Sequence, residues 1–214
     1  MNAPINRLER RKARTRSALI GAAQSLIAAG NPNVPVSEIT QAADVGMGSF
    51  YNHFESKEQL FAAAVDNALE ALGSYLDILT AGLDDPAEMF AQSFRLTGRL
   101  FRLQPEMSRV LVNSWTGLMA SDRGLAPRAL RDIRAGVDAG RFTVDDPDLA
   151  LAMVTGSLLG LGQLLLQNPD RDDVAAVDRV ALDLLRVLGV PESEADVLCR
   201  RPVPELDQLV KRDP

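Results

Sequence analysis

The sequence contains a single cysteine, Cys199, and a single histidine, His53. One cysteine cannot form an intramolecular disulfide or supply the several thiolates of a cysteine-rich zinc site. One histidine removes most metal-ligand sets and nearly every histidine-based catalytic arrangement. These scarcities argue against an enzyme: we expect no catalytic residue, metal or cofactor, and a reducing, cytoplasmic location.

The sequence also lacks an export signal, since residues 1–8 have no apolar core of the length that a signal peptide needs. Residues 149–169 carry no charge, and the eighteen mostly apolar residues 149–166 are near the lower limit for a membrane span. Polar Thr155, Ser157 and Gln163 lie inside this run, and aspartates flank it. A helix that packs its own domain on one side and a partner on the other explains the run better, so we expect no membrane contact.

Sustained alternation of apolar and polar residues is absent, which argues against β-strands. Apolar residues instead recur at spacings of three and four between turn signals, beginning with a first helix at about residues 11–29 that ends before Gly30. The pattern predicts an all-α fold. It consists of an N-terminal three-helix helix-turn-helix domain followed by a larger helical domain.

Three pairs of neighbouring aspartates are the best candidates for a catalytic acid pair: Asp84-Asp85, Asp145-Asp146 and Asp172-Asp173. Each pair stands at a predicted helix start. An aspartate there accepts hydrogen bonds from free backbone N–H groups and interacts favourably with the helix dipole. We therefore interpret the three pairs as helix caps.

The net charge of −6 is distributed unevenly along the chain. Residues 1–57 contain seven Lys or Arg and four Asp or Glu, a charge of +3, so the remaining residues carry −9. A basic head on an acidic body suggests that the first segment meets a polyanion. Most of the positive charge forms a predicted flexible arm, for which a merely solvated arm is the alternative: Arg7, Arg10, Arg11, Lys12, Arg14 and Arg16.

The segment between Val36 and Lys57 predicts two short helices joined by a tight turn. Ile39, Phe50 and Phe54 can pack inward. A small rigid unit of this kind presents its second helix to the major groove of DNA, although three apolar positions can come from any helical bundle. The outward residues of that helix are Met47, Gly48, Ser49, Tyr51 and Asn52.

The stretch from Ala42 to Phe54, followed by Ser56-Lys57-Glu58-Gln59-Leu60, resembles the turn, recognition helix and next helix of the TetR family of bacterial transcriptional regulators. Asp44 departs from that pattern, because the family usually has glycine in the turn. The resemblance implies that Tyr51 and Lys57 bind phosphates, and His53 can donate a hydrogen bond to another phosphate. Base contacts fall to Ser37, Gly46, Met47, Ser49 and Asn52.

The same resemblance implies that the larger domain binds a ligand and forms a homodimer. Its last two long helices would form the dimer interface through Ala152, Gly156, Gly160, Val177, Ala181 and Leu184. Large or adaptable side chains could surround a small apolar or amphipathic effector: Phe90, Phe94, Phe101, Met107, Trp115, Met119 and Met153. Arg95, Arg99, Arg102 and Glu106 could select its charge. For both sets a plain hydrophobic core is the alternative.

We therefore predict a basic arm and helix-turn-helix DNA-binding domain at residues 1–57, a helical effector-binding and dimerisation domain at 58–200, and a loosely held tail at 201–214. The predicted function is a homodimeric, ligand-responsive transcriptional regulator. It would act as a repressor that a small molecule releases from a pseudo-palindromic, double-stranded DNA operator. The alternative is a helical protein-interaction module without DNA binding.

Overall fold

The computed structural model describes residues 7–113 and 124–206, apart from the side chains of Glu106, Met107, Val110 and Asn113. Within these ranges the chain is helical and has no strand, which confirms the predicted all-α fold. The helices are α1 (Arg7–Ala28), α2 (Val36–Ala42), α3 (Met47–Tyr51), α4 (Lys57–Thr80), α5 (Pro86–Leu103), α6 (Pro105–Asn113), α7 (Leu125–Asp138), α8 (Pro147–Gln167), α9 (Asp173–Val187) and α10 (Glu192–Arg200).

Local sequence signals set most of the helix ends. At the end of α1, Gly30 has φ 74° and donates to the carbonyl of Ile27, while the Asn31 N–H bonds the carbonyl of Leu26. This pair of bonds satisfies carbonyls that the helix leaves free, and the positive φ favours glycine.

Aspartate caps begin three of the long helices. Asp85 accepts a hydrogen bond from the Ala87 N–H, and Asp172 accepts one from the Ala175 N–H. Asp146 accepts from the N–H groups of Asp148 and Leu149. The interpretation of the aspartate pairs as caps is therefore confirmed for one member of each pair.

Two apolar clusters organise the molecule. The first cluster, which we call the head core, consists mainly of residues of α1–α4 together with Leu96, Leu100 and Leu111. The second cluster, which we call the body core, consists mainly of residues of α5 and α7–α10. Helix α5 contributes to both, because opposite faces of the helix carry apolar side chains. Helix α1 also contacts α6 directly. The head is therefore packed against the body through α4, α5 and α6.

The basic N-terminal segment differs from the flexible arm that the sequence predicted. Helix α1 begins at Arg7, earlier than the predicted start near residue 11, so the basic side chains from Arg7 onward lie on an exposed helix. Arg, Lys and Ala are good helix formers, and the apolar face that begins at Leu19 anchors the continuous helix.

Residues 201–206 are held in place, contrary to the predicted loose tail. The Arg95 guanidinium donates to the carbonyl of Arg201 at 2.8 Å, and Arg201 pairs with Glu88. Leu206 is buried in the head core. These polar and apolar anchors outweigh the prolines that suggested a free segment. Residues 207–214 lie outside the described part of the chain, and the predicted domain boundaries stay predictions.

Candidate DNA interface and ligand cavity

Helices α2 and α3 are short and depend on packing for their stability. Ile39 of α2 and Phe50 of α3 are fully buried in the head core, together with Phe54. The Phe50 and Phe54 ring centroids are 6.1 Å apart, and the Arg16 guanidinium lies 5.1 Å from the Phe54 centroid. Because isolated helices of this length are marginal in water, these contacts fix the orientation of α3.

The nine predicted DNA-binding residues lie outside this core, on α2, the turn before α3, α3 itself and the segment that leads to the first residue of α4. None of them is buried, and Tyr51 is 62% exposed even though its ring packs edge-on against Phe50 at 5.1 Å. The surface, which we call the α3 face, consists of Ser37, Gly46, Met47, Gly48, Ser49, Tyr51, Asn52, His53 and Lys57.

Two local features hold the α3 face in position. Asp44 adopts φ 52° in the turn between α2 and α3, as the departure from the family's glycine suggested. At the start of α4, the Ser56 hydroxyl accepts from the Gln59 N–H, and the Gln59 side chain accepts from the Glu55 N–H at 2.7 Å. This capping arrangement fixes Lys57 at the positive end of the α4 dipole.

A cavity that is partly open to solvent lies between α4, α5, α7 and α8. Much of its lining is apolar, with Phe90 and Phe94 stacked at a centroid distance of 6.2 Å. The lining residues are Leu76, Asp77, Thr80, Phe90, Ser93, Phe94, Thr97, Leu125, Arg128, Ala129, Asp132, Val154 and Leu158.

One wall of the cavity carries charges. Arg128 Nε donates to Asp77 Oδ2 at 2.7 Å, and Arg131 donates to Asp77 Oδ1 at 3.1 Å and to Asp132 Oδ1 at 2.7 Å. Burial raises the pKa of Asp77, but hydrogen bonds from Arg128 and Arg131 outweigh it and hold the pKa below its usual value. Asp77 is therefore ionised at neutral pH and accepts hydrogen bonds.

The predicted effector residues are only partly brought together. Phe90 and Phe94 line the cavity, whereas Phe101 packs against Gly162 in the body core and Met153 is 47% exposed on the outer side of α8. The side chain of Met107, together with Trp115 and Met119, lies outside the described residues.

The arginines that were expected to select the ligand's charge serve other contacts. Arg95 and Arg99 both pair with Asp178 of α9. Arg102 donates to the carbonyl groups of Leu165 and Asn168 at the C-terminal end of α8. None of the three lines the cavity. The sequence missed Arg128, Asp77 and Asp132 because α4 and α7 are about fifty residues apart and no local pattern signals their meeting.

Comparison with known families and structures gives two matching family models. Residues 19–64 match the model of bacterial regulatory proteins of the tetR family, and residues 85–201 match the tetracyclin repressor-like C-terminal domain. A crystal structure of RolR in complex with resorcinol is 36% identical, with 92% of this chain and 98% of that chain covered and a TM-score of 0.66. No curated protein matches the sequence closely.

The chain belongs to the TetR family. More distant structures share the fold. TylP from Streptomyces fradiae is 19% identical over 94% of this chain and 95% of its own, with a TM-score of 0.68. SmeT, the repressor of the Stenotrophomonas maltophilia efflux pump SmeDEF, is 18% identical over 88% and 97%, with a TM-score of 0.66.

Membership of the TetR family confirms the predicted class of function: the chain is a ligand-responsive, DNA-binding transcriptional regulator, and family members act as homodimers. The alternative of an interaction module without DNA binding is not favoured. Members of the family are transcription factors rather than enzymes. Within the described residues no group of three or more metal-ligating side chains is close enough to hold a metal.

The outer face of α8 is uncharged and open. A Cβ atom added to Gly156 or Gly160 would meet no atom within 4 Å, and Ala152 is exposed beside them. Leu149, Met153 and Leu164 add exposed apolar surface, and we call these six residues the α8 face. In the described part of the chain α8 alone is long and apolar enough to span a membrane. A single such helix is weak evidence for a membrane span, and 44% of its most apolar stretch is buried inside the protein.

The three predicted interface residues on α9 require a correction. Val177, Ala181 and Leu184 are buried in the body core of their own chain and offer no surface to a second chain. Gly98 allows α5 to approach α9 so closely that a Cβ there would lie 2.7 Å from the Val177 methyl carbons. An apolar stripe indicates burial, but it does not indicate which chain covers it.

Proposed function

We propose that the protein is a cytoplasmic repressor that binds its operator as a homodimer and is released by a small hydroxylated aromatic compound. The observation that carries this proposal is the combination of an exposed α3 face on a rigid core with a cavity whose wall includes α4. Helix α4 begins beside the α3 face at Lys57 and reaches the cavity at Leu76, Asp77 and Thr80. A ligand in the cavity therefore contacts the helix that supports the DNA-binding surface.

On DNA, side chains of the α3 face divide into two roles. Tyr51, His53 and Lys57 bind phosphates, which sets affinity and register. Asn52 pairs with adenine, and Met47 contacts a thymine methyl group, while Ser37 and Ser49 bond base edges. Gly46 and Gly48 let the backbone approach closely. Because the α3 face has no arginine, we expect contacts to A·T pairs to dominate.

Two α3 helices must enter successive major grooves about 34 Å apart, which requires a fixed two-fold arrangement. We place the dimer interface on the α8 face, with exposed parts of α9 beside it. The small residues there let a partner helix approach, and the face has no charge to desolvate.

The cavity is suited to an aromatic compound with hydroxyl groups. Stacked Phe90 and Phe94 provide an apolar surface, and the carboxyl oxygens of Asp77 and Asp132 provide hydrogen-bond acceptors at the wall. RolR, the 36% identical relative, is described in complex with resorcinol, an aromatic diol. The dimer can adopt one form whose α3 helices match the operator spacing and another whose α3 helices do not. A ligand that binds the second form more tightly lowers operator affinity, at most by the ratio of its affinities for the two forms.

Selection of bound duplexes from a random pool tests the DNA-binding half of the proposal. We expect a pseudo-palindrome with half-site centres about 10 base pairs apart. Asn52→Ala should lose discrimination at one base position by about 1–3 kcal/mol, whereas Lys57→Ala should weaken all sequences alike. Recovery of no preferred sequence, or an Asn52→Ala variant with unchanged preference, would contradict the assignment.

A further inference from the structure

The Arg128 guanidinium is saturated with hydrogen bonds inside the protein. Its Nη1 and Nη2 atoms form a paired contact with the Glu70 carboxylate at 3.0 and 2.9 Å, and its Nε donates to Asp77 at 2.7 Å. The remaining N–H groups reach the Gly124 carbonyl at 2.9 Å and the Ser74 hydroxyl at 3.4 Å. A guanidinium has five N–H donors, so none is left for a ligand.

The structure seats this arginine closely on α4. Gly73, one turn after Glu70, is buried, and a Cβ added there would lie 2.8 Å from Arg128 Nη1 and 2.9 Å from its Cζ. Glu70 also accepts from the Gly124 N–H at 3.1 Å, at the residue that precedes α7. Glu70 itself does not line the cavity, whereas Arg128 does. Glu70 therefore acts on the cavity through Arg128.

The charges around the cavity wall follow from the same contacts. The hydrogen bond from Arg128 is the main cause that lowers the pKa of Glu70 to about 2, so the carboxylate is ionised at neutral pH. The ion-pair network at and behind the wall contains three acidic residues, Glu70, Asp77 and Asp132, and two arginines, Arg128 and Arg131, so its formal charge is −1. A ligand at the wall meets carboxyl oxygens and an arginine whose N–H groups are already bonded within the protein.

From these contacts we propose that Glu70 is a specificity-determining positioning residue, which occupies the Arg128 donors and makes the cavity select neutral hydroxylated aromatics over aromatic carboxylates. This inference rests on the proposed effector class. A hydroxyl group donates to Asp77 or Asp132. A carboxylate finds no free donor at Arg128 and is repelled by the two aspartates, and such unpaired charge is an effective way to reject a competitor.

The test compares resorcinol with 3-hydroxybenzoate, in which a carboxylate replaces one hydroxyl. Calorimetric titration of the wild-type protein should show resorcinol binding at least about 100-fold more tightly. Glu70→Gln removes one negative charge and replaces one of the two acceptor oxygens with an NH2 donor, so it should reduce this ratio by about tenfold. Asp138→Asn, which neutralises an exposed acid at the end of α7, is the matched control and should leave the ratio unchanged.

Gly73→Ala provides a second variant without a change of charge, for use if Glu70→Gln does not fold. Its methyl group displaces the Arg128 guanidinium, so we expect the ratio to fall as well. Resorcinol binding with a ratio that neither variant changes would overturn the role of Glu70 and leave the proposed function intact. Equal binding of both compounds by the wild type would also overturn the role of Glu70, and binding of neither would overturn both proposals.

Discussion

Asp44 shows how a single residue supports the DNA-binding surface. It adopts φ 52° between α2 and α3, a region that favours glycine because a Cβ atom crowds the backbone there. Aspartate tolerates this region better than most residues with a side chain. The turn directs the chain from buried Ile39 into the helix that carries Phe50, so its geometry sets the angle of the α3 face.

We expect Asp44→Ala to be less stable than Asp44→Gly by about 1 kcal/mol. The Cβ atom of alanine crowds the backbone at this positive φ, and glycine has no Cβ atom. Thermal and urea unfolding measure the difference. Ala42→Gly is the control at an exposed helical position, where glycine should instead destabilise by up to about 1 kcal/mol. Equal stabilities for the two Asp44 variants would show that the turn is not strained.

Arg128 makes a related point about polar residues at a cavity wall. A positive charge next to a ligand site suggests an acidic ligand when it is considered alone. Its five hydrogen bonds to protein acceptors reverse that conclusion, because a saturated guanidinium offers no donor.

Among the elements, α8 has two faces with different roles. Its inner face, with Leu151, Val154 and Leu165, belongs to the body core, while the α8 face has no covering atoms in its own chain at Gly156 and Gly160. Close helix packing across this face would join the two protomers without burying a charge.

Gly156→Arg should give monomers that lose operator binding, because the charged side chain would stand in the centre of the α8 face and cannot be buried without a partner. Sedimentation or light scattering measures the oligomeric state. Gly82→Arg makes the same substitution at an exposed turn with open space around it and should remain dimeric. A dimer that survives Gly156→Arg would refute this placement of the interface.

The elements also show which features of the molecule the sequence could predict. The helices, the aspartate caps and the inward residues Ile39, Phe50 and Phe54 follow from local spacing and turn chemistry. The burial of Val177, Ala181 and Leu184 does not, because an apolar stripe looks the same against its own domain or a partner. The positions of Phe101 and Met153 outside the cavity, and the charged wall within it, depend on contacts between distant helices.

At the scale of the whole molecule, α4 joins the two activities. Its 24 residues span about 36 Å, from the cap at Ser56 beside the α3 face to Thr80 at the cavity. Part of its buried face lies in the head core, and Glu70 and Asp77 link it to α7 through Arg128. A change of the cavity wall on ligand binding can therefore shift the orientation of the head.

The uneven charge distribution also favours DNA binding by the head and not by the body. We expect the exposed basic residues of α1 to attract the DNA backbone, whereas residues 58–214, with a net charge of −9, should be repelled by it. This asymmetry would orient the dimer with both heads toward the duplex.

The most direct test of the account is the affinity of the homodimer for its selected operator with and without resorcinol, measured by fluorescence anisotropy at constant salt. The account predicts that saturating ligand weakens operator binding by at least about fivefold, with a matching loss of ligand affinity when operator is bound. Calorimetry under the same conditions verifies that the ligand occupies the protein. Unchanged operator affinity with the cavity occupied would contradict the account.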